Sequence, residues 1–292
     1  MIEMKCLLTG VNGVVGKNLN ILLSEKYHFD VWGCGRQPDN DAKYFCLDLV
    51  EKQAVFELFS KNRFDCVIHC AATINDHESF EMFSNNITST LNIVEACIAF
   101  GVKRFFHTSG ITVVGETLVL PITEEHPTKP ISAYLLSKLH SEQIIELYCE
   151  GRINFVNMRI PSPVGRNMPL RSIFPILLDK IKKDETITLT GDARRRQNFL
   201  DIRDLAGFIY KACSLDDISG VFNVAAKRSF SNLELAEAII SKVNSNSKII
   251  NEMSQGTSNP QIWEVSTLKA KEHVGYFPEH DLNDTIDWVL KS

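Results

Sequence analysis

Apolar residues follow two spacings along the first 160 residues of the chain. Short runs rich in β-branched and aromatic residues predict strands at 5–9, 29–34, 65–70, 104–109 and 153–159. Between them, apolar residues recur every three or four positions, which predicts amphipathic helices at 16–27, 51–62, 85–101 and 134–150. Such alternation is typical of right-handed βαβ units, so we expect an α/β fold with a doubly wound parallel sheet.

The alternation weakens after residue 160, where prolines stand at positions 161, 163, 169 and 175. We therefore expect a smaller C-terminal subdomain that covers the carboxyl ends of the strands and binds the substrate. The predicted division assigns residues 1–160 and about 199–226 to the sheet domain. Residues at about 161–198 and 227–292 form the substrate-binding subdomain in this division.

Composition narrows the class of partner. Among the 292 residues, 31 are basic and 36 acidic. Because the net charge is -5, we do not expect the protein to bind nucleic acid. No apolar run approaches the roughly 20 residues that span a bilayer, and the N-terminus lacks the layout of a secretory signal. The eight cysteines form no Cys-x-x-Cys pair, so they predict free thiols and no metal site. We expect a soluble cytoplasmic protein that acts on small molecules and contacts no membrane.

A glycine-rich turn joins the first predicted strand to the first predicted helix. Gly10, Gly13 and Gly16 are spaced three residues apart in "TGVNGVVG". Such a turn lets the backbone approach a pyrophosphate, and the helix that follows offers free N–H groups and the positive end of its dipole. This context predicts a dinucleotide-binding domain of the Rossmann type.

The end of the second strand bears on which dinucleotide binds. An acidic residue there would bind the ribose hydroxyls of NAD, but the sequence has Gly35 and Arg36. A basic residue suits the 2′-phosphate of NADP, so NADP is favoured over NAD. Asp48, at the end of a third strand, has two possible roles. It either lies at the adenine end of the pocket or caps the helix that follows, and one side chain could do both.

Tyr134 and Lys138 stand four residues apart at the head of the fourth predicted helix, so their side chains share one helical face. A phenol has an unperturbed pKa of about 10, and a neighbouring ammonium or an oxidised nicotinamide favours the phenolate. The pair therefore predicts acid–base chemistry on an alcohol or a carbonyl.

These motifs, in this order, resemble the extended short-chain dehydrogenase/reductases, the family that contains NAD-dependent sugar epimerases and dehydratases. Further similar segments lie at 65–72, 86–97, 159–165, 191–206 and 220–226, so the resemblance covers nearly the whole chain. It implies that Tyr134 exchanges a proton while a hydride passes between nicotinamide and substrate, and that Lys138 holds the nicotinamide ribose. It also implies a homodimer. The cofactor-binding residues would be Gly10, Asn12, Gly13, Val14, Val15, Gly16, Arg36, Asp48, Leu49, Cys70, Ala71, Ala72, Asn86, Thr108, Tyr134, Lys138, Ile160 and Pro161.

The resemblance further implies a Ser or Thr hydroxyl at the end of the fifth strand, where it aligns the substrate oxygen. Alignment on Val113-Val114-Gly115 puts this hydroxyl at Gly110, and counting back from Tyr134 puts it at Ser109. Three possibilities stay open: Ser109 supplies the hydroxyl, Thr112 supplies it, or the role is unfilled. A regular strand would direct the side chains of Ser109 and Gly110 to opposite faces.

The substrate is predicted from the residues expected near it. Thr73 and Ser162 would lie beside it, and the run Arg194, Arg195 and Arg196 favours a nucleotide diphosphate, because arginine pairs bidentately with phosphate. Gln197 stands where the family commonly has an arginine. We expect a sugar-nucleotide epimerase, dehydratase or 4-keto reductase. The alternatives are a reductase of small aldehydes or ketones and a catalytically idle NAD(P)-binding protein.

Overall fold

Strands and helices alternate through the first part of the chain. The computed structural model describes residues 4–74, 79–190, 195–252 and 261–291. The strands within these ranges are β1 (Lys5–Thr9), β2 (Asp30–Gly35), β3 (Tyr44–Cys46), β4 (Cys66–His69), β5 (Arg104–Gly110), β6 (Asn154–Ile160), β7 (Ser162–Val164), β8 (Ile187–Thr190), β9 (Arg196–Gln197), β10 (Phe199–Asp201), β11 (Gly220–Asn223), β12 (Phe230–Ser231) and β13 (Ile249–Glu252).

Helices connect most of these strands. They are α1 (Val14–Glu25), α2 (Lys52–Lys61), α3 (Phe80–Phe100), α4 (Ala133–Cys149), α5 (Ile173–Lys182), α6 (Ile202–Cys213), α7 (Asn232–Val243), α8 (Leu268–Val274) and α9 (Leu282–Leu290). A 3-10 turn, Ile111–Val114, follows β5 directly. No helix in the described ranges is long and apolar enough to cross a bilayer.

Seven parallel strands form the main sheet in the order β3-β2-β1-β4-β5-β6-β11. The chain builds outward from β1 through β2 to β3 and then returns to the other side of β1 with β4. The crevice between β1 and β4 is thus the topological switch point, where open α/β sheets bind ligands. The predicted doubly wound parallel sheet is confirmed.

The sheet buries both of its faces, which explains why its strands are almost continuously apolar. Leu8 and Phe106 lie in one cluster with residues of α1 and α6. Leu7 and Phe105 lie in a second cluster with residues of α2, α3 and α4. Successive side chains of a strand alternate between the two faces of the sheet. This alternation decides which residues near the carboxyl end of β5 face α4.

The C-terminal segments build a separate core beside the carboxyl ends of the strands. Apolar residues of α5, α7 and α9 pack there with residues of β8, β10 and β12. Strands β8 and β13 pair in parallel, and β9 and β12 pair antiparallel. Strand β10 pairs with β7, which continues the chain from β6. This arrangement is consistent with a smaller subdomain, whose boundaries stay a prediction.

The largest difference from the predicted elements is the start of α3, which begins at Phe80 rather than at 85. Ser79 is its N-cap, and the Ser79 hydroxyl accepts a hydrogen bond of 3.0 Å from the Met82 backbone N–H. The apolar periodicity did not predict the first turn of α3, because Phe80, its leading apolar residue, is 85% exposed and belongs to no buried face. A cap rather than a buried face therefore sets this helix end.

Candidate active site

The glycine turn after β1 brings three backbone segments into close contact. Gly10 has φ +69, and a Cβ added there would lie 2.6 Å from the backbone nitrogen of Ala71. A Cβ added at Gly16 would lie 2.2 Å from the Gly10 carbonyl oxygen. Any larger residue at either position would push α1 or the segment after β4 away from the turn, so the turn requires glycine at both positions.

The N-terminus of α1 is suited to an anion. Gly13 is its N-cap and offers no side chain to bind the first N–H groups, and the first turn contains no acidic residue. The unpaired N–H groups and the positive end of the helix dipole therefore face the turn. The residues present fit the pyrophosphate of a dinucleotide, as the sequence predicts.

A cavity of about 250 Å³ lies next to this turn; we call it the glycine-turn cavity. Nine of the predicted cofactor residues line it. They are Gly10, Asn12, Gly13, Arg36, Leu49, Cys70, Ala71, Ala72 and Asn86. The predicted substrate residue Thr73 lines it as well, and the Asn86 amide holds Thr73 through hydrogen bonds to its N–H (2.8 Å) and its carbonyl (3.0 Å).

At the end of β2, the space beside Gly35 is occupied. The Tyr44 hydroxyl donates to the carbonyl of Gln37 and accepts a 3.1 Å hydrogen bond from the Asn12 amide. A Cβ added to Gly35 would lie 2.7 Å from that hydroxyl oxygen. The structure therefore leaves no room for a carboxylate at Gly35, whereas the exposed Arg36 lines the cavity.

Three predicted cofactor residues, Val14, Gly16 and Asp48, are absent from the lining of both cavities described here. The prediction that Asp48 caps the following helix is wrong. Glu51 is the N-cap of α2, and the Asp48 carboxylate instead accepts a 3.2 Å hydrogen bond from the Val50 N–H in the turn before it. The helix begins one turn later because residues 48 to 51 close this turn first.

A larger cavity, of about 450 Å³, opens where β5 and β6 end and α4 begins; we call it the Tyr134 cavity. Its lining includes ten of the predicted residues, besides Ser109. These are Val15, Cys70, Thr108, Thr112, Tyr134, Lys138, Ile160, Pro161, Ser162 and Arg195. Gln197, Asn198, Gln261 and Trp263 come from distant segments and also line it, and of these four the sequence singled out only Gln197. Cys70 lines both cavities, so the two are adjacent.

Helix α4 places Tyr134 and Lys138 at the cavity wall. The Ser132 hydroxyl caps the helix by accepting a 3.2 Å hydrogen bond from the Leu135 N–H. Lys138 is 5% exposed, and its ammonium donates a 2.8 Å hydrogen bond to the Thr108 carbonyl. Burial lowers the pKa of Lys138 to about 8, although Cys70 and Glu142 act in the opposite direction. Lys138 therefore stays mainly charged at pH 7.

Burial also decides the protonation state of the Tyr134 phenol and of the Cys70 thiol. It raises the pKa of Tyr134 above its ordinary value, and it raises the pKa of Cys70 to about 12. Both groups are therefore neutral at pH 7 in the protein alone. The predicted lowering of the phenol pKa has no counterpart among the protein groups, so the Tyr134 phenol keeps its proton at pH 7.

Ser109 lines the Tyr134 cavity, but its hydroxyl is engaged inside the protein. The strand stays regular through Gly110, and the Ser109 hydroxyl donates to the Glu142 carboxylate on α4. Glu142 also pairs with Arg159 at 2.9 Å, and the three residues are at most 5% exposed. The Ser109 hydroxyl is thus engaged with a buried carboxylate, and the expectation that it aligns the substrate oxygen stays a prediction.

The three arginines of the basic run are not equivalent. Arg194 lies outside the described residues. Arg195 is exposed and lines the Tyr134 cavity. Arg196 is engaged elsewhere, since its guanidinium pairs with Glu234 at 2.9 Å and donates to the Ser229 carbonyl at 2.8 Å. The Gln197 amide is engaged as well, since it donates to Asn232 at 3.0 Å. Of residues 195–197, Arg195 is therefore the one whose side chain remains available for an anion.

Comparison with known proteins identifies the family to which the chain belongs. The model of the NAD dependent epimerase/dehydratase family matches residues 6–225. A putative UDP-glucose 4-epimerase from Methanocaldococcus jannaschii is 26% identical over 300 residues, which cover 97% of this chain and 96% of that protein. A dTDP-D-glucose 4,6-dehydratase from Dictyostelium discoideum is 23% identical over 267 residues, which cover 81% of this chain and 61% of that protein.

Among solved structures, the Bordetella bronchiseptica enzyme WbmG in complex with NAD and UDP superposes with a TM-score of 0.85. The match covers 99% of this chain and 93% of that chain, at 19% sequence identity. At this identity the likeness shows that the two chains share a fold.

The lowered pKa of Lys138 predicts unusual reactivity. At pH 8 about half of this amine is neutral, whereas an ordinary lysine, with a pKa of about 10.4, is almost fully charged. Competitive labelling with trace acetic anhydride, followed by peptide mass spectrometry, should give a midpoint near pH 8 for Lys138. Lys183 is the control, because its hydrogen bond to Asp179 raises its pKa. A Lys138 midpoint close to that of Lys183 would contradict the burial argument.

Proposed function

Because the chain belongs to the NAD dependent epimerase/dehydratase family, we propose that it transfers a hydride to or from the sugar of a sugar nucleotide. The reaction is that of an epimerase, a dehydratase or a 4-keto reductase. The observation that carries this proposal is the placement of Tyr134 and Lys138 on one face of α4, at the wall of a cavity that adjoins the glycine turn. Arg195 lies at the same cavity.

The residues of both cavities suit a bound nicotinamide dinucleotide. We propose that the turn at Gly10 and Gly13 and the N-terminus of α1 hold its pyrophosphate, and that Lys138 holds the nicotinamide ribose. When bound, the cofactor supplies the hydride chemistry. The NAD-bound structural relative supports a nicotinamide cofactor, and the exposed Arg36 beside a blocked Gly35 supports NADP.

The protein groups then divide the remaining tasks. Tyr134 gives its proton to the sugar oxygen or takes it back, and the nearby Lys138 ammonium stabilises the phenolate that results. Apolar walls at Ile160 and Trp263 limit the access of water. Arg195 pairs with the diphosphate of the nucleotide. The named relatives, a UDP-glucose epimerase and a dTDP-glucose dehydratase, support this class of substrate.

Replacement of Tyr134 by Phe should slow hydride transfer strongly. Removal of a general acid lowers the rate by about 10²- to 10⁴-fold, and cofactor affinity should not change. The measurement is single turnover, followed by nicotinamide absorbance, of UDP-glucose, UDP-glucuronic acid and dTDP-glucose with oxidised NAD or NADP, and of keto-sugar nucleotides with NADPH. Tyr148→Phe, which alters a partly exposed tyrosine on the same helix, is the matched control. A wild type that binds cofactor tightly but transforms no member of this panel would favour the idle protein.

Arg36→Ala should weaken NADPH binding and leave NADH binding unchanged. The loss of one charge-assisted hydrogen bond corresponds to a factor of about 10 to 100 in affinity. Fluorescence titration of both dinucleotides measures the ratio. Lys61→Ala, which removes an exposed charge from α2, controls for the overall charge. Equal loss for NADPH and NADH, or no loss at all, would count against NADP selection by Arg36.

Arg195→Ala should weaken the binding of UDP-sugars and of UDP by about tenfold or more, since one charged partner of the diphosphate is lost. Calorimetric titration with UDP in the presence of cofactor measures this loss directly. The control is Arg171→Ala, which removes an exposed arginine outside both cavities. If Arg195→Ala leaves UDP binding intact, the result would favour the alternative function, a reductase of small aldehydes or ketones.

A further inference from the structure

Gly110 leaves a gap in the wall of the Tyr134 cavity. It ends β5 with extended backbone angles and lines the cavity beside Tyr134 and Lys138. A Cβ added to Gly110 would meet the Thr112 hydroxyl oxygen at 3.3 Å, and no other side chain within 4 Å. The Thr112 hydroxyl therefore lies at the space into which a side chain of residue 110 would extend.

The other hydroxyls near the end of β5 are already engaged. The Thr108 hydroxyl donates to the His69 carbonyl at 3.3 Å, and the Ser109 hydroxyl donates to Glu142. Within the described residues, the Thr112 side chain makes no hydrogen bond, although it lines the cavity. Its hydroxyl can therefore donate to a ligand without breaking a bond inside the protein.

The backbone around Thr112 is held firmly. Its neighbours Ile111 and Val113 are at most 1% exposed, and Ile111 packs with Val114, Ile122 and Trp263 in a small apolar cluster. The Gly115 N–H donates a 3.0 Å hydrogen bond to the Thr112 carbonyl, which closes the 3-10 turn. A side chain on such a fixed turn can hold a substrate atom in one position.

We propose that the Thr112 hydroxyl is the second hydrogen-bond partner of the reacting sugar oxygen, beside Tyr134. In this role it replaces a side-chain hydroxyl at position 110, which Gly110 cannot supply. This assignment rests on the proposed function. Tyr134 moves the proton of that oxygen, and Thr112 donates a hydrogen bond to the same atom as negative charge develops on it. A preorganised donor of this kind acts mainly on the transition state.

Three variants separate the hydroxyl from the shape of the side chain. Thr112→Val keeps the branched shape and removes the donor, so kcat should fall about 100-fold or more while KM for the UDP-sugar changes little. Thr112→Ser keeps the donor and should retain most of the activity. Gly110→Ser combined with Thr112→Val moves the hydroxyl to residue 110 and should recover part of the lost rate.

The controls test folding and position. Thr123→Val changes an exposed threonine and should leave kcat unchanged. Thermal unfolding and cofactor affinity should be the same in wild type and in Thr112→Val, since Thr112 makes no side-chain hydrogen bond within the described residues. A pH profile of kcat for Thr112→Ser should match that of wild type.

The outcomes distinguish this assignment from the proposed function. Full activity of Thr112→Val in an enzyme that needs Tyr134 would overturn the assignment alone. The same holds if Ser162→Ala, rather than Thr112→Val, lowers kcat. A wild type that neither binds nor transforms any sugar nucleotide of the panel would overturn both.

Discussion

A buried ion pair between Glu142 and Arg159 ties the candidate site to the sheet. It joins α4 to β6, the Ser109 hydroxyl adds β5, and the Arg159 guanidinium also donates to the Glu124 carbonyl at 3.0 Å. Glu142 follows Lys138 by one helical turn and Tyr134 by two, so the pair fixes the position of both side chains over the strand ends. Loss of one partner would leave an uncompensated buried charge, at a cost of about 3–5 kcal/mol.

Local patterns predicted the parallel sheet and many of the residues that line the glycine-turn cavity. The run of strands, the glycine turn and the four-residue spacing of Tyr134 and Lys138 each depend on residues close in sequence. The contacts of Trp263 and of the pair Glu142 and Arg159 join distant segments, and no short pattern reports them. The engagement of Arg196 with Glu234 is of the same kind, which explains why the sequence could not rank the three arginines.

The side chains at the end of β5 could not be placed from local sequence. Whether residue 109 or residue 110 faces the cavity depends on how far the strand stays regular. The structure has β5 continue through Gly110, after which the chain enters a 3-10 turn. That turn depends on the cluster around Ile122 and Trp263, which the chain supplies from later segments.

The packing of Tyr44 against Gly35 constrains how the dinucleotide preference of this chain could change during evolution. The Cβ of an aspartate at position 35 would lie 2.7 Å from the Tyr44 hydroxyl oxygen and 3.2 Å from the Asn12 amide nitrogen, whereas the nearest ring carbon of Tyr44 lies at 3.6 Å, which is an ordinary contact. A carboxylate at this position therefore requires Tyr44 and Asn12 to shift or change as well. The dinucleotide preference of this chain is coupled to a hydrogen bond between two residues that stand 32 positions apart.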